Sequence, residues 1–256
     1  MLLTRLVSIV WLKSQTGEHL TTLSGHTDFI KSLLILPGGH LLSTSSDRSI
    51  KVWQTSVTDI GIEADCVQTI KEHTRPVDKS EIGLENDQIL VWTADSMGTI
   101  KQWTFRDGRL QDGRNIPGHE TSVTDLVHTD EGVWSGKLLI RGRADPVVSM
   151  DRTAILHADS RNTFQHSSSL HCIVSIPPEM TNRSLVVTGG EDEDLIVWEN
   201  RGEGFAPISK VEAHSHVVSS IRVWQPEGKA GLILSGSLDG TIRRWTLQGT
   251  PYVDSL

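Results

Sequence analysis

LILSGSLDGTIRRW, residues 232–245, follows His214 by eighteen positions, and its Ser235, Asp239 and Trp245 define a phase that runs through the chain. The same order of His, Ser or Thr, Asp and Trp returns at intervals of 41 to 54 residues. GHTDFIKSLLILPGGHLLSTSSDRSIKVW carries His26, Ser43, Asp47 and Trp53, and a later copy carries His166, Thr188, Asp192 and Trp198. Two copies are damaged. His73, Thr93 and Trp103 keep the phase with Met97 where the acid belongs, and His119, Ser135 and Asp151 lead to His157 in place of Trp. Internal repeats of this period point to stacked or ring-forming units, none of which buries its apolar face alone.

Each unit reads as four short strands. FIKSLLIL, HLLSTS and SIKVW are rich in aliphatic and β-branched residues and are separated by Pro37-Gly38-Gly39 and by a turn at Ser46-Asp47-Arg48. VQTI before His73, GRNI before His119 and ISKV before His214 fit a fourth strand, which places each His in the connection to the next unit.

On these residues the chain resembles the WD40-repeat β-propeller family over nearly its whole length. The resemblance implies an all-β domain of radially arranged four-stranded blades. It also implies a buried chain in which the Trp indole N–H donates to the Ser or Thr hydroxyl, the hydroxyl meets the His, and the other ring nitrogen donates to the Asp. The literal Trp-Asp pair is absent, since Gln54, Thr104, Glu199 and Thr246 follow the tryptophans.

We expect one domain, 1–256, with a partial blade at 1–24 and blades at about 25–72, 73–117, 118–165, 166–212 and 213–256. LVSIVW aligns with SIKVW and TIRRW, so the partial blade is expected to hold strands three and four only. Five blades and a part do not close simply. The expectations are a truncated six- or seven-bladed ring, a ring closed on itself with the tail TPYVDSL or the N-terminal strand as the last fourth strand, or a gap filled by a partner. Open blade edges would invite association. Met97 and His157 are each expected to cost their blade roughly 1–3 kcal/mol through an unmet polar group, making blades two and three the weak arc.

The third blade is also interrupted. Ser135 and Asp151 stand sixteen apart where the intact copies have four, and removing residues 137–148 restores that spacing. The irregular stretch 136–148, GKLLIRGRADPVV, lacks strand alternation and has no physical explanation in the repeat pattern; retained non-coding sequence and a long solvent loop are the alternatives.

Composition narrows the function classes. A net charge of −8 and a pI near 5.7 argue against nucleic acid and anionic membranes as partners. Cys66 and Cys172 have no partner by motif, which suits a reducing compartment, cytoplasmic or nuclear. The start MLLTRLVSIVWL has Arg5 before an apolar run yet lacks a small-residue cleavage site, so strand pairing accounts for it better than a signal sequence.

Ser, His and Asp in one repeat imitate a hydrolase triad, but a nucleophile site occurs once, whereas this set is repeated. His214-Ser215-His216 and His171 beside Cys172 lack a second spaced pair for a metal. Glu191-Asp192-Glu193-Asp194 lacks the glycine and ligand spacing of a calcium loop. No catalytic residue, metal or cofactor is therefore expected.

Carried over by position from the resembling family, the partner-binding face lies three and five residues after each His and one before each Asp. It comprises Phe29, Lys31 and Ser46; Pro76, Asp78 and Ser96; Ser122, Thr124 and Met150; Ser169, His171 and Glu191; Val217, Ser219 and Leu238. Phe29, Val217 and Leu238 are the expected apolar anchors, and Lys31, Asp78, His171 and Glu191 the charged selectors. The chain is expected to be a non-enzymatic scaffold for proteins or peptides. One alternative is a substrate-recognition subunit of a cullin-type ubiquitin ligase, since Trp198, Glu199 and Arg201 resemble the Trp-Asp/Glu-x-Arg adaptor box. Another, a propeller hydrolase, needs a unique polar cluster that the repeats do not show.

Overall fold

The computed structural model describes residues 2–5, 7–13, 16–58, 61–116, 119, 122–129, 132–137, 153–156, 163–165, 167–201, 205–224 and 231–246. The chain forms two compact units, Met1–Val123 and Thr124–Leu256. Almost every element is a strand in an antiparallel meander.

The first unit holds three sheets. β1 (Leu2–Arg5), β2 (Ser8–Leu12) and β3 (His19–Ser24) form the first; β4 (Ile30–Leu36), β5 (His40–Ser45), β6 (Ile50–Thr58) and β7 (Gly61–Ile70) the second; β8 (Val77–Glu85), β9 (Gln88–Asp95), β10 (Ile100–Arg106) and β11 (Arg109–Ile116) the third. In the second unit β12 (Val123–Thr129), β13 (Gly132–Lys137), β14 (Thr153–Leu156) and β15 (Thr163–Gln165) form one sheet. β16 (Leu170–Ile176), β17 (Leu185–Gly190), β18 (Asp194–Asn200) and β19 (Phe205–Glu212) form another, with one helical turn, α1 (Pro178–Thr181), between its first two strands. β20 (Val218–Trp224), β21 (Leu232–Ser237) and β22 (Ile242–Thr246) complete the set. The chain is thus an all-β, propeller-type protein with four four-stranded and two three-stranded sheets among the described residues.

The N-terminal sheet corrects the two-strand expectation. Leu2 pairs with Trp11 and Arg5 with Ser8, so a strand precedes the two expected ones. A connection of two residues suffices for an antiparallel neighbour, and reading the apolar start against a signal sequence hid that hairpin. At the other end, the tail TPYVDSL lies outside the described residues.

Local chemistry sets the turns. Asn86 and Asp87 (φ 48° and 59°) link β8 to β9, and Asp107 and Gly108 (φ 53° and 73°) link β10 to β11. Two successive left-handed residues make the turn whose twist matches the strands it joins, and Asn, Asp and Gly tolerate that backbone best. After Pro37, Gly38 and Gly39 take φ 70° and 75°, and a Cβ on Gly39 would sit 2.9 Å from the Thr55 carbonyl.

Second strands are interior: β17 is buried along its whole length and β5 at all but His40, so residues of both faces are enclosed. Leu36, Leu42, Ile50 and Val52 meet Val77, Val91 and Trp103 in one cluster of the first unit. In the second unit Ile176, Val187, Leu195 and Val197 meet Val218, Ile221 and Trp245.

In the interrupted sheet, register locates the extra chain. Ser43 faces Lys51, Thr93 faces Lys101, Thr188 faces Ile196 and Ser235 faces Arg243, each eight positions on; Ser135 faces Ile155, twenty positions on. The additional residues therefore fall between β13 and β14. Beyond Lys137 the stretch 136–148 lies outside the described residues.

Each repeat tryptophan needs room. The register between third and fourth strands shifts at Val52/Trp53, Gln102/Thr104 and Val197/Trp198. At the second of these, a Cβ on Gly113 would lie 2.2 Å from the Trp103 ring. Gly113→Ala is therefore expected to lower stability by about 1–3 kcal/mol by displacing a buried indole, read as a lower urea midpoint; an unchanged midpoint would show that the strand yields freely.

Candidate functional site

The repeated polar residues converge at the blade tips. In the second sheet Trp53 Nε1 donates to Ser43 Oγ at 2.9 Å, Ser43 Oγ lies 2.7 Å from His26 Nε2, and His26 Nδ1 lies 2.8 Å from Asp47 Oδ2. The last sheet repeats this with Trp245, Ser235, His214 and Asp239 at 2.8, 2.7 and 2.9 Å. Because the carboxylate only accepts, Nδ1 carries the proton it shares with Asp, and the hydroxyl that accepts from the indole has its own proton to direct at Nε2. Ser43, Thr93, Thr188 and Ser235 are fully buried. A hydroxyl sealed between an indole and an imidazole has no path to a substrate, which separates these sets from a hydrolase triad.

The second repeat overturns the expected vacancy. His73 Nδ1 lies 3.0 Å from Asp95 Oδ2, and Thr93 bridges His73 and Trp103 at 2.9 Å on each side. Asp95 stands two residues before Met97, and its other oxygen accepts from Met97 N and Thr99 N. In the first and last repeats these duties are divided: Ser45 and Ser237 occupy the strand end, while Asp47 and Asp239 sit in the turn. One carboxylate does both here, so the second blade is not a weak point for want of an acid.

In the third repeat His119 is buried and its backbone N–H donates to the Gly98 carbonyl; the Ser135 side chain, Asp151 and His157 lie outside the described residues. In the fourth, Trp198 donates to Thr188 at 2.7 Å, and Asp192 accepts from Ser167 Oγ at 2.9 Å. His166 lies outside the described residues.

Two hydroxyls belong with these sets although the four-residue pattern omits them. Ser49 Oγ donates to Asp47 and Thr241 Oγ1 to Asp239, both at 2.6 Å. Their signal was a Ser or Thr two residues after each turn acid. Burial alone pushes the Asp47 carboxyl up, yet Ser49 Oγ, Thr27 N and His26 together hold it well below the usual carboxylate range. Burial is likewise outweighed at Asp95 by His73, Met97 N and Thr99 N. At Asp239 the Thr241 hydroxyl is the main cause of a low value. Burial pulls the His26 imidazole below its ordinary 6.5, against the opposing pull of Asp47.

The expected partner face has a recurrent backbone frame. Ser46 N donates to Phe29 O and Ser96 N to Pro76 O in the first unit; Glu191 N donates to Ser169 O and Leu238 N to Val217 O in the second. Five residues after four of the repeat histidines the first strand bulges, between Ile30 and Ser32, Val77 and Lys79, Leu170 and Cys172, and Val218 and Ser220. The bulge positions are Lys31, Asp78, His171 and Ser219, and a bulge re-aims its side chain.

In the first unit Phe29 is 54% exposed, and Lys31 Nζ lies 3.9 Å from Asp78 Oδ1. Burial raises the Asp78 carboxyl, which Lys31 offsets only in part. Met97, at the vacated turn-acid position, is 53% exposed and joins the apolar residues of this face. In the second unit Leu238 is 66% exposed, Val217 half-buried and Ser169 fully buried, so Ser169 presents nothing to a partner. His171 Nε2 lies 3.6 Å from Glu191 Oε1, and Glu191 accepts from Ser168 Oγ at 3.0 Å. Ser122 and Thr124 are half-buried, and Met150 lies outside the described residues.

Of the adaptor-box residues, Trp198 is buried, and Glu199 is held between Arg183 (3.1 Å) and Arg201 (3.6 Å). Among the described residues no group of three or more His, Cys, Asp or Glu is placed to hold a metal ion, and no helix is long and apolar enough to cross a membrane.

The profile described as "WD domain, G-beta repeat" matches residues 17–54 and 205–246. An uncharacterised WD repeat-containing protein of Schizosaccharomyces pombe is 26% identical over 91% of this chain and 58% of its own length. Nuclear distribution protein nudF of Aspergillus niger is 25% identical over 94% and 55%, and ribosome biogenesis protein ytm1 of Neurospora crassa 25% over 92% and 53%. The chain spans about half the length of the curated relatives it matches.

Asp95→Asn is expected to cost about 1–3 kcal/mol by removing the buried carboxylate that His73 Nδ1, Met97 N and Thr99 N share, and Met97→Ala less than about 0.5 kcal/mol. Denaturant midpoints compare them, and equal effects would return the acid's role to position 97.

Stability is also expected to fall on acidification. The unfolded chain protonates His26 near 6.5 while the folded ring resists, so stability declines as pH drops from 6.5 through the folded value. Asp47, Asp95 and Asp239 add a further loss as pH falls below 3.8 through their lower folded values. Asp78, shifted up, acts in the opposite sense. Urea midpoints across this range test the sign, and a midpoint that rises between neutral pH and about pH 5 contradicts it.

Proposed function

This chain belongs to the WD40-repeat family, and we propose that it works as a non-enzymatic scaffold that presents its blade-tip turns to protein or peptide partners. The observation that carries this is the pair of exposed apolar side chains, Phe29 and Leu238, each on a turn whose backbone is fixed by a cross-turn hydrogen bond. A large apolar side chain held rigidly in solvent gains nothing for folding and suits a binding anchor. Lys31, Asp78, His171 and Glu191 at the neighbouring bulges and turns would select the partner by charge. The sealed tetrad hydroxyls speak against catalysis at those positions. The acidic net charge favours protein over nucleic acid as partner. The nuclear distribution and ribosome biogenesis proteins among the relatives support a role in protein assemblies of the cytoplasm or nucleus.

A narrower form makes the chain a substrate-recognition subunit of a cullin-type ligase. In its favour, Arg201 is 61% exposed and its pairing with Glu199 is long, so a partner carboxylate has access to it. Arg201→Ala would abolish adaptor binding in that case, and no adaptor recovered with the wild-type chain would discard it.

The scaffold role is tested by replacing Phe29 and Leu238 together with Ser. Recovery of specific partners by the tagged chain is expected to fall about tenfold or more, at an unchanged denaturation midpoint. Unchanged recovery rejects both turns as anchors.

A further inference from the structure

The turn between second and third strands holds, five positions after the tetrad Ser or Thr, a residue in the left-handed region: Arg48 (φ 69°), Gly98 (φ 87°), Glu193 (φ 67°) and Gly240 (φ 82°). Glycine enters that region without steric cost, whereas a residue with a Cβ is strained there. At Glu193 the backbone is compensated, since its carbonyl accepts from Ala213 N and His214 N; Gly98 O likewise accepts from His119 N. In the first repeat no such bond joins Arg48 O to His73 N among the described residues. Arg48 and His73 instead line an open cleft of about 450 Å³, together with Thr27, Asp28, Asp47 and Lys71.

The acids of this cleft are already engaged. Asp47 Oδ2 accepts from Thr27 N at 3.0 Å and meets His26 Nδ1 at 2.8 Å, its Oδ1 accepts from Ser49 N and Oγ, and Asp28 Oδ1 accepts from Phe29 N at 2.7 Å. Nearby cations outside the cleft are engaged too: Lys51 Nζ donates to Thr69 Oγ1 at 2.8 Å, and Lys101 Nζ to Glu72 Oε2 at 3.3 Å. The side chains of Arg48 and Lys71 are exposed and have no hydrogen bond or ion pair among the described residues. What the cleft has left to offer is therefore donors, on two cations from two different segments. Register equates Arg48 and Lys71 with Glu193 and Glu212 of the β16 to β19 sheet, so neither the turn nor the strand exit requires a cation.

We propose that this cleft binds an anionic side chain of a protein partner, a carboxylate or a phosphorylated hydroxyl, held between the Arg48 guanidinium and the Lys71 ammonium. Arginine supplies a planar two-pronged donor for a pair of anionic oxygens, and lysine a mobile point charge. Backbone strain kept at a residue whose side chain has no partner of its own marks a position that serves something outside the chain. Asp28 on the cleft wall directly precedes the Phe29 anchor, so an acidic residue in the cleft and an apolar one at Phe29 can come from one segment. The proposal rests on the scaffold reading for its ligand being part of a protein.

The test uses pools of synthetic peptides that fix Glu, phosphoserine, Ser or Lys at one position and randomise the others, passed over the immobilised full chain. Retention of the Glu or phosphoserine pool is expected to exceed that of the Ser and Lys pools about tenfold, and Arg48→Gly and Lys71→Gln are each expected to remove that preference. A preference for phosphoserine alone assigns the cleft to a phosphorylated partner, and one that includes Glu to an acidic partner; both sustain the proposal. Arg48→Gly is also expected to leave the urea midpoint equal or raised, because glycine relieves the left-handed strain. Equal retention of all four pools, a preference that persists in either variant, or a lower midpoint for Arg48→Gly would each overturn it. The pools fix no apolar residue, so failure at the cleft and failure at the Phe29 and Leu238 turns are read by different experiments.

Discussion

Every complete repeat depends on one hydrogen-bonded chain, from indole to hydroxyl to imidazole to carboxylate. It fastens the third strand to the second, and both to the loop that enters the first, through Trp53, Ser43, His26 and Asp47 or through Trp245, Ser235, His214 and Asp239. Those loops carry polar backbone that would otherwise be loosely held above an apolar core. Burial strengthens each bond and raises the cost of losing any member. The apolar clusters set how sheets pack, while these chains set where each tip stands relative to its own strands.

The second repeat shows how much freedom that constraint leaves. What His73 requires is a carboxylate oxygen at Nδ1, not an aspartate at a given position in the sequence. Asp95 meets the need from the strand end and still caps the turn with its second oxygen. The exchange releases the turn position, and Met97 uses it to face solvent. A polar network can thus be conserved in geometry while its residues migrate.

Phase alone made most of the architecture legible, because strand length, turn chemistry and the tetrad spacing agree. What stayed hidden was local and geometric. Asp95 was masked by a fixed count from Thr93, although WTADSMG holds an acid within reach. The hairpin of β1 and β2 was obscured by an apolar start with two explanations. Leucine and isoleucine at equivalent strand positions look alike in sequence, so nothing in TIRRW announced that Ile242 would be solvated while Ile50 in SIKVW would be enclosed. Ser169 failed as a face residue for the converse reason: its turn carbonyl is occupied by Glu191 N, and its side chain lies beneath.

The first-strand bulge that follows four of the repeat histidines has a consequence for how such a chain changes over time. Lys31, Asp78, His171 and Ser219 occupy the extra residue, which lies outside the ladder pairing on either side of it. A cation, an acid, an imidazole and a hydroxyl are all accommodated there without altering the strands. Specificity at these four places is therefore separable from folding, and each repeat can acquire a new chemical preference without renegotiating the structure that displays it.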